Sequence, residues 1–149
     1  MGLFRRAASE VTPLTGRDVL LADLDGVVYA GPGALPYAID SLNQAAENVR
    51  LGYITNNASR TDASVAEHLT ELGLTVKPDE VVTSPQAAMR LLARIVPAPA
   101  TILIVGGEGL VVEAEKAGYT VTRSAEDAPA AVVQGFAPHV AWTDFAASS

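Results

Sequence analysis

The sequence predicts an α/β fold built on a mostly parallel, doubly wound sheet, and three observations carry that prediction. Short apolar runs alternate with segments of helical periodicity from Val19 to Val133, the order that right-handed crossovers turn into parallel strands. The first run, Val19-Leu20-Leu21-Ala22, is apolar without alternation, as expected of a strand covered on both faces. It leads directly into Asp23, Asp25 and Gly26, and ligands of such sheets bind beyond the carboxyl ends of the strands.

The first strand is expected over 19–24. Residues i and i+2 of a strand share a side, so Asp23 and Asp25 converge if the strand runs through both. If Asp25 already lies in the turn, its side chain is directed elsewhere. Two acids at a buried strand end are costly unless neutralised, and a divalent cation neutralises them. The plainer alternative is a polar Asp-Gly turn without a site.

Gly31, Pro32 and Gly33 then read as a loop, and Pro36 suits the first turn of a helix. Ile39, Leu42, Ala46 and Val49 recur at helical spacing through Arg50, and Gly52 is the expected stop. Tyr53-Ile54-Thr55 is a short second strand closed by Asn56-Asn57. Thr61 caps the next helix, whose apolar face is Val65, Leu69 and Leu72 and whose stop is Gly73. His68 on that helix reads as an exposed or half-buried surface residue. Val81-Val82-Thr83 is a third strand, followed by Ser84 as N-cap and Pro85 at the first helical position. Leu91, Leu92 and Ile95 are expected on the buried side of that helix, before Pro97 and Pro99. A fourth strand over 101–105 turns through Gly106-Gly107-Glu108-Gly109 into a helix reaching Ala117, with Gly118 as its end. Strands over 119–122 and 131–133 complete the alternation. The strand-end rule places Asp23, Asp25, Thr55, Asn56, Asn57, Ser84 and the 106–109 turn on one rim.

Composition narrows the function. The 149 residues suffice for one domain with a real core. A net charge of −7 argues against nucleic acid and anionic membrane surfaces, while leaving room for a small phosphorylated metabolite. Cysteine is absent, which removes disulfides, thiolate metal sites and thiol nucleophiles. The two histidines, His68 and His139, supply a metal site or a Ser-His relay poorly. The stretch 1–16 lacks the apolar region of a signal peptide, and no apolar run reaches membrane-spanning length. A cytoplasmic location is the expectation.

Phosphoryl transfer needs an oxygen nucleophile, an acid for the leaving group, donors for the non-bridging oxygens and a cation. Asp23 suits the first role, Asp25 the second, and Thr55, Asn56 and Asn57 the third.

At these residues the sequence resembles the haloacid dehalogenase superfamily of phosphatases. Asp23-Leu24-Asp25-Gly26-Val27-Val28-Tyr29 is similar to its first motif, and Tyr53-Ile54-Thr55-Asn56-Asn57-Ala58-Ser59-Arg60 to its second. The stretches 76–84 and 132–136 resemble the branch with a large C2-type cap (subclass IIA), which includes p-nitrophenyl-phosphatase-like, phosphoglycolate and glycerol-phosphate phosphatases. The resemblance implies a Rossmann-like core and a small phosphomonoester, such as glycerol phosphate or phosphoglycolate, as substrate. It implies that Asp23 attacks phosphorus to form an aspartyl-phosphate, and that Asp25 protonates the leaving oxygen and then activates water. It further implies Mg²⁺ at the Asp23 carboxylate and the Asp25 backbone carbonyl, with Thr55, Asn56 and Asn57 holding phosphoryl oxygens.

The family also uses a lysine and a later acidic motif, and neither Lys77 nor Lys116 stands in the matching place. The chain therefore reads as the amino-terminal part of a capped phosphatase, with the cap and the carboxy-terminal core strands missing. On that reading 1–17 is a flexible tail, 18–135 belongs to the core, and 136–149 begins the connection to the cap, with Trp142 packing there. The chain as given is then expected to be nearly inactive, and to dimerise or aggregate through an exposed opening strand. Two alternatives stand beside it. One is a non-catalytic remnant that binds a partner or phosphate. The other is a dinucleotide-binding domain, suggested by Gly107-Glu108-Gly109 with Asp127 downstream. Against the latter, Val112 stands where a third Gly or Ala belongs, and a tight strand-to-helix turn explains the glycines more simply.

Overall fold

Every apolar run named above forms a strand, but the strands divide between two parallel sheets. The computed structural model describes residues 12–138 and 141. Within them β1 (Val19–Asp23), β4 (Arg50–Thr55) and β5 (Val81–Thr83) form one sheet in the order β1-β4-β5. β6 (Thr101–Val105), β7 (Thr120–Thr122) and β8 (Ala131–Gln134) form the other, in the order β7-β6-β8. All ladders in both are parallel. Helices α1 (Ala38–Ala46) and α2 (Asp62–Glu71) join the strands of the first sheet. α3 (Ser84–Leu92) links the two sheets, and α4 (Glu108–Lys116) connects β6 to β7.

In the first sheet the chain steps in one direction, from β1 to β4 to β5. Right-handed crossovers then put both helices on the same face. That face is the core: Ala22, Leu24, Tyr53 and Val81 pack with Leu42 from α1 and Val65, Ala66 and Leu69 from α2. Each fully buried aliphatic there, Leu69 for example, contributes about 1.5–3 kcal/mol relative to exposure. The expectation of cover on both faces of β1 is corrected for the described residues. Val19, Leu21, Ile54 and Val82 line the opposite face and are 40–61% exposed. β1 pairs only with β4, so it is an edge among the described strands.

The second sheet has its own core, in which Met89 of α3 meets Ile102, Ile104, Leu110, Ala114 and Tyr119. The Tyr119 hydroxyl donates to the Val96 carbonyl at 2.6 Å, giving a polar tip its partner. Three reports of local sequence hold in detail. Thr61 caps α2 by accepting from Ser64 N–H, and Gly73 and Gly118 take positive φ just past α2 and α4, where only glycine is unstrained.

Four expectations are corrected. α1 ends at Ala46, and Gly52 lies inside β4; a β-carbon there would lie 2.8 Å from Leu21 Cδ2, so glycine admits the neighbouring strand's side chain. Gly31, Pro32 and Gly33 belong to a small antiparallel hairpin of β2 (Tyr29–Ala30) and β3 (Gly33–Ala34). The cap of α3 is Thr83, one residue earlier than Ser84, with Gln86 Oε1 accepting from Thr83 N–H. Finally, Leu91 and Ile95 are exposed and the buried stripe of α3 runs through Pro85, Met89 and Leu92, a helical phase that Pro85 starts. Among the described residues no helix is long and apolar enough to cross a membrane. His139, Trp142 and the part of the expected tail before residue 12 lie outside the described residues.

Candidate active site

Parallel register brings the predicted residues to one end of the first sheet. Asp23 is the last residue of β1 and opposes Ile54, while Thr55, the next residue on β4, opposes Thr83 of β5. Asp23 Oδ1 accepts from Leu24 N–H at 2.8 Å. The chain then turns tightly: Leu24 carbonyl accepts from Val27, Val28 and Tyr29, and Tyr29 carbonyl from Gly26 N–H. Gly26 sits at φ +80°, a value that favours glycine. Asp25 therefore belongs to this turn and not to the strand. Both residues are exposed. None of the turn's backbone hydrogen bonds uses the Asp25 carbonyl.

The second motif is ordered by its own side chains. Buried Thr55 accepts from Asn57 N–H through Oγ1 at 3.1 Å, which leaves the hydroxyl hydrogen for another acceptor. Asn57 Oδ1 accepts from Ser59 N–H at 2.9 Å and Ser59 Oγ at 2.7 Å. With its oxygen engaged twice, the Asn57 amide presents Nδ2 as a donor. Asn56 carbonyl accepts from Ser84 Oγ at 3.0 Å. A cleft of about 410 Å³ gathers Asp23, Thr55, Asn56, Thr83 and Ser84. A second, of about 620 Å³, gathers Asp25, Tyr29, Asn57, Arg60, His68 and Glu71.

Electrostatics reports the same convergence. Burial raises the Tyr29 phenol above the ordinary tyrosine range, and the Asp25 carboxylate raises it further. The Arg60 guanidinium pulls the other way, and Asp23 adds a smaller upward push. The His68 ring meets Tyr29 edge-on at 5.0 Å, and its Nδ1 lies 3.7 Å from Glu71. His68 is thus a half-buried residue, as expected, but one that lines the cleft beside Asp25. Sequence reasoning passed over Ser59 and Arg60, quoting them only within the motif. The Asn-x-Ser spacing, which favours a side-chain turn, was the signal for Ser59.

The 106–109 turn does meet this rim, although it belongs to the other sheet. A β-carbon on Gly109 would lie 2.6 Å from the Arg60 carbonyl, and one on Gly107 3.0 Å from Ser59 Cα. The space a pyrophosphate needs beside such glycines is filled by the protein's own loop. The dinucleotide reading fails on this contact.

An aspartate ending a parallel strand, a second in the turn that follows, and Thr55 at the end of the neighbouring strand are the features of a class: hydrolases of the haloacid dehalogenase type. Residues 20–120 match the family model described as haloacid dehalogenase-like hydrolase, and the chain belongs to that family. It is 45% identical over 129 residues to D-glycerol 3-phosphate phosphatase of Mycobacterium tuberculosis, covering 87% of this chain and 36% of the relative. It is 40% identical over 107 residues to glycerol-3-phosphate phosphatase of Gallus gallus, covering 70% and 34%. The crystal structure of the glycerol phosphate phosphatase from M. tuberculosis in complex with magnesium aligns with a TM-score of 0.78 and 43% identity, over 87% of this chain and 39% of that one. A 4-nitrophenylphosphatase from Thermotoga maritima aligns at 0.75 with 25% identity, over 88% and 49%. The chain spans about a third of the length of the curated relatives it matches.

Proposed function

We propose that the protein acts in Mg²⁺-dependent hydrolysis of small phosphomonoesters, such as glycerol phosphate or phosphoglycolate, through an aspartyl-phosphate on Asp23. The observation that carries this reading is that Asp23 and Thr55 line one cleft at the strand ends, while Asp25 and Asn57 line a second cleft at the same rim. Asp23 Oδ1 is held by Leu24 N–H, so Oδ2 is the oxygen oriented to attack. Asp25, two residues further on in the turn, protonates the departing alkoxide and then takes a proton from water. Thr55, Asn57 and the backbone around Asn56 are donors for the non-bridging oxygens.

The residues present fit a hard cation. The Asp23 carboxylate and the uncommitted Asp25 carbonyl are oxygen donors of the kind Mg²⁺ takes, with water completing the shell. Bound there, Mg²⁺ would supply positive charge to offset the charge of Asp23 and of a phosphoryl group. Among the described residues no group of three His, Asp or Glu side chains surrounds a metal position, and Lys116 is committed to Glu113 and Asp62. Carboxylate count sets affinity for hard cations, so calorimetry of the 149-residue chain is expected to give a roughly millimolar Mg²⁺ dissociation constant and very slow turnover. A protein of the relatives' length that carries this sequence is expected to release phosphate from glycerol phosphate, and to stop when Mg²⁺ is chelated. Metal-independent release, or none, would overturn the reading.

The same chain is proposed to act in the cytoplasm and to self-associate through β1, whose edge is unpaired among the described residues and whose Leu21 is 61% exposed. Sedimentation of the 149-residue chain should show mass rising with concentration, and Leu21→Lys should suppress the rise. A monomer throughout the series rules the association out.

A further inference from the structure

Gly107, Gly109 and Gly135 are three glycines of the second sheet's rim that share one neighbour, the loop leading from Asn57 to Arg60. A β-carbon on Gly109 would stand 2.6 Å from the Arg60 carbonyl oxygen and 2.9 Å from that of Ala58. One on Gly107 would stand 3.0 Å from Ser59 Cα, and one on Gly135 3.0 Å from Ala58 Cβ. None of the three has positive φ, so their backbone conformations are open to any residue. What excludes a side chain is space, and at Gly109 the obstructing atoms are backbone that has no rotamer to retreat into.

The loop so pressed is the one that orients Asn57. Ser59 donates from both N–H and Oγ to Asn57 Oδ1, which fixes the amide through its oxygen and leaves Nδ2 as its donor. Polar contacts fasten the loop's far end to the same neighbours: Asp62, the first residue of α2, accepts from Gln86 Nε2 at 3.0 Å and Lys116 Nζ at 3.4 Å. Ser84 Oγ holds Asn56 from the side of α3. Gly16, Gly26, Gly31 and Gly33, by contrast, meet nothing within 4 Å.

We propose that Gly107, Gly109 and Gly135 form a backbone seat that fixes loop 57–60, and that through Ser59 this seat positions the Asn57 amide toward the phosphoryl group. The three glycines and Ser59 are positioning residues, so the second sheet tunes phosphate binding without touching phosphate. This rests on the phosphatase reading above. The seat converts close packing, which tolerates little adjustment, into the orientation of one donor.

The test is vanadate binding, in the presence of Mg²⁺, to a protein of the relatives' length that carries this sequence, followed by vanadium NMR. Gly109→Ala and Ser59→Ala are expected to weaken it roughly three- to tenfold, the scale of one misdirected hydrogen bond, and to shift the Asn57 Nδ2 proton signals. Mg²⁺ affinity, set by Asp23 and Asp25, should not change in either, and Gly33→Ala should match the unsubstituted chain throughout. If Gly109→Ala does not fold, Ser59→Ala, which adds no bulk, decides. Unchanged vanadate affinity in folded variants overturns the seat alone. An unsubstituted chain that binds no vanadate overturns the phosphatase reading, and the seat's role with it.

Discussion

Asp23→Asn is expected to abolish phosphoenzyme formation in a protein of the relatives' length that carries this sequence. The substitution is close to isosteric, and an Asn Oδ1 can still accept from Leu24 N–H as Asp23 Oδ1 does. The end of β1 therefore keeps its shape. What is lost is the anionic oxygen, since an amide at that place cannot attack phosphorus. Acid quenching after mixing with a radiolabelled phosphomonoester should trap label on the unsubstituted protein and none on the variant, with turnover at background. Appreciable turnover by the Asn variant would sink the assignment of Asp23 as nucleophile.

The second large effect concerns Asp25. Its side chain is exposed in the turn, and the turn's own hydrogen bonds run to the Leu24 and Tyr29 carbonyls. Asp25→Asn should therefore leave the backbone in place, along with the carbonyl that would meet Mg²⁺. Turnover is expected to fall by about two to four decades, the usual worth of a positioned acid or base. The loss should be largest for an alkyl phosphate and smaller for p-nitrophenyl phosphate, whose leaving group needs little protonation. Comparing the two substrates separates acid catalysis from a general loss of binding. An equal loss on both would count against the acid role.

Much of the candidate site is legible in the sequence, because its signals are local. An apolar run meeting Asp-x-Asp-Gly marks a strand end with two acids whatever surrounds it. Thr61 ahead of a periodic segment is a cap because its side chain reaches only three residues on. Gly73 and Gly118 are stops because positive φ is a property of single residues. Tyr53-Ile54-Thr55 with Asn56-Asn57 marked the end of the neighbouring strand by the same logic.

What only the tertiary structure decided depends on which distant atoms come together. Six strands of similar character can pair in one sheet or two, and nothing within a strand names its partner; the two separate cores, around Leu69 and around Ile104, settled that. Whether Asp25 ends the strand or enters the turn rested on the hydrogen bonds closing on Leu24 and Tyr29. Gly52 read as a helix stop because glycine is common there, yet its reason is a side chain on the neighbouring strand. Gly107 and Gly109 echoed a cofactor fingerprint for the same cause: glycine records that something approaches closely, and sequence alone does not say what. Here it is the loop that carries Asn57, and only packing between residues about fifty apart in the chain brings the two together.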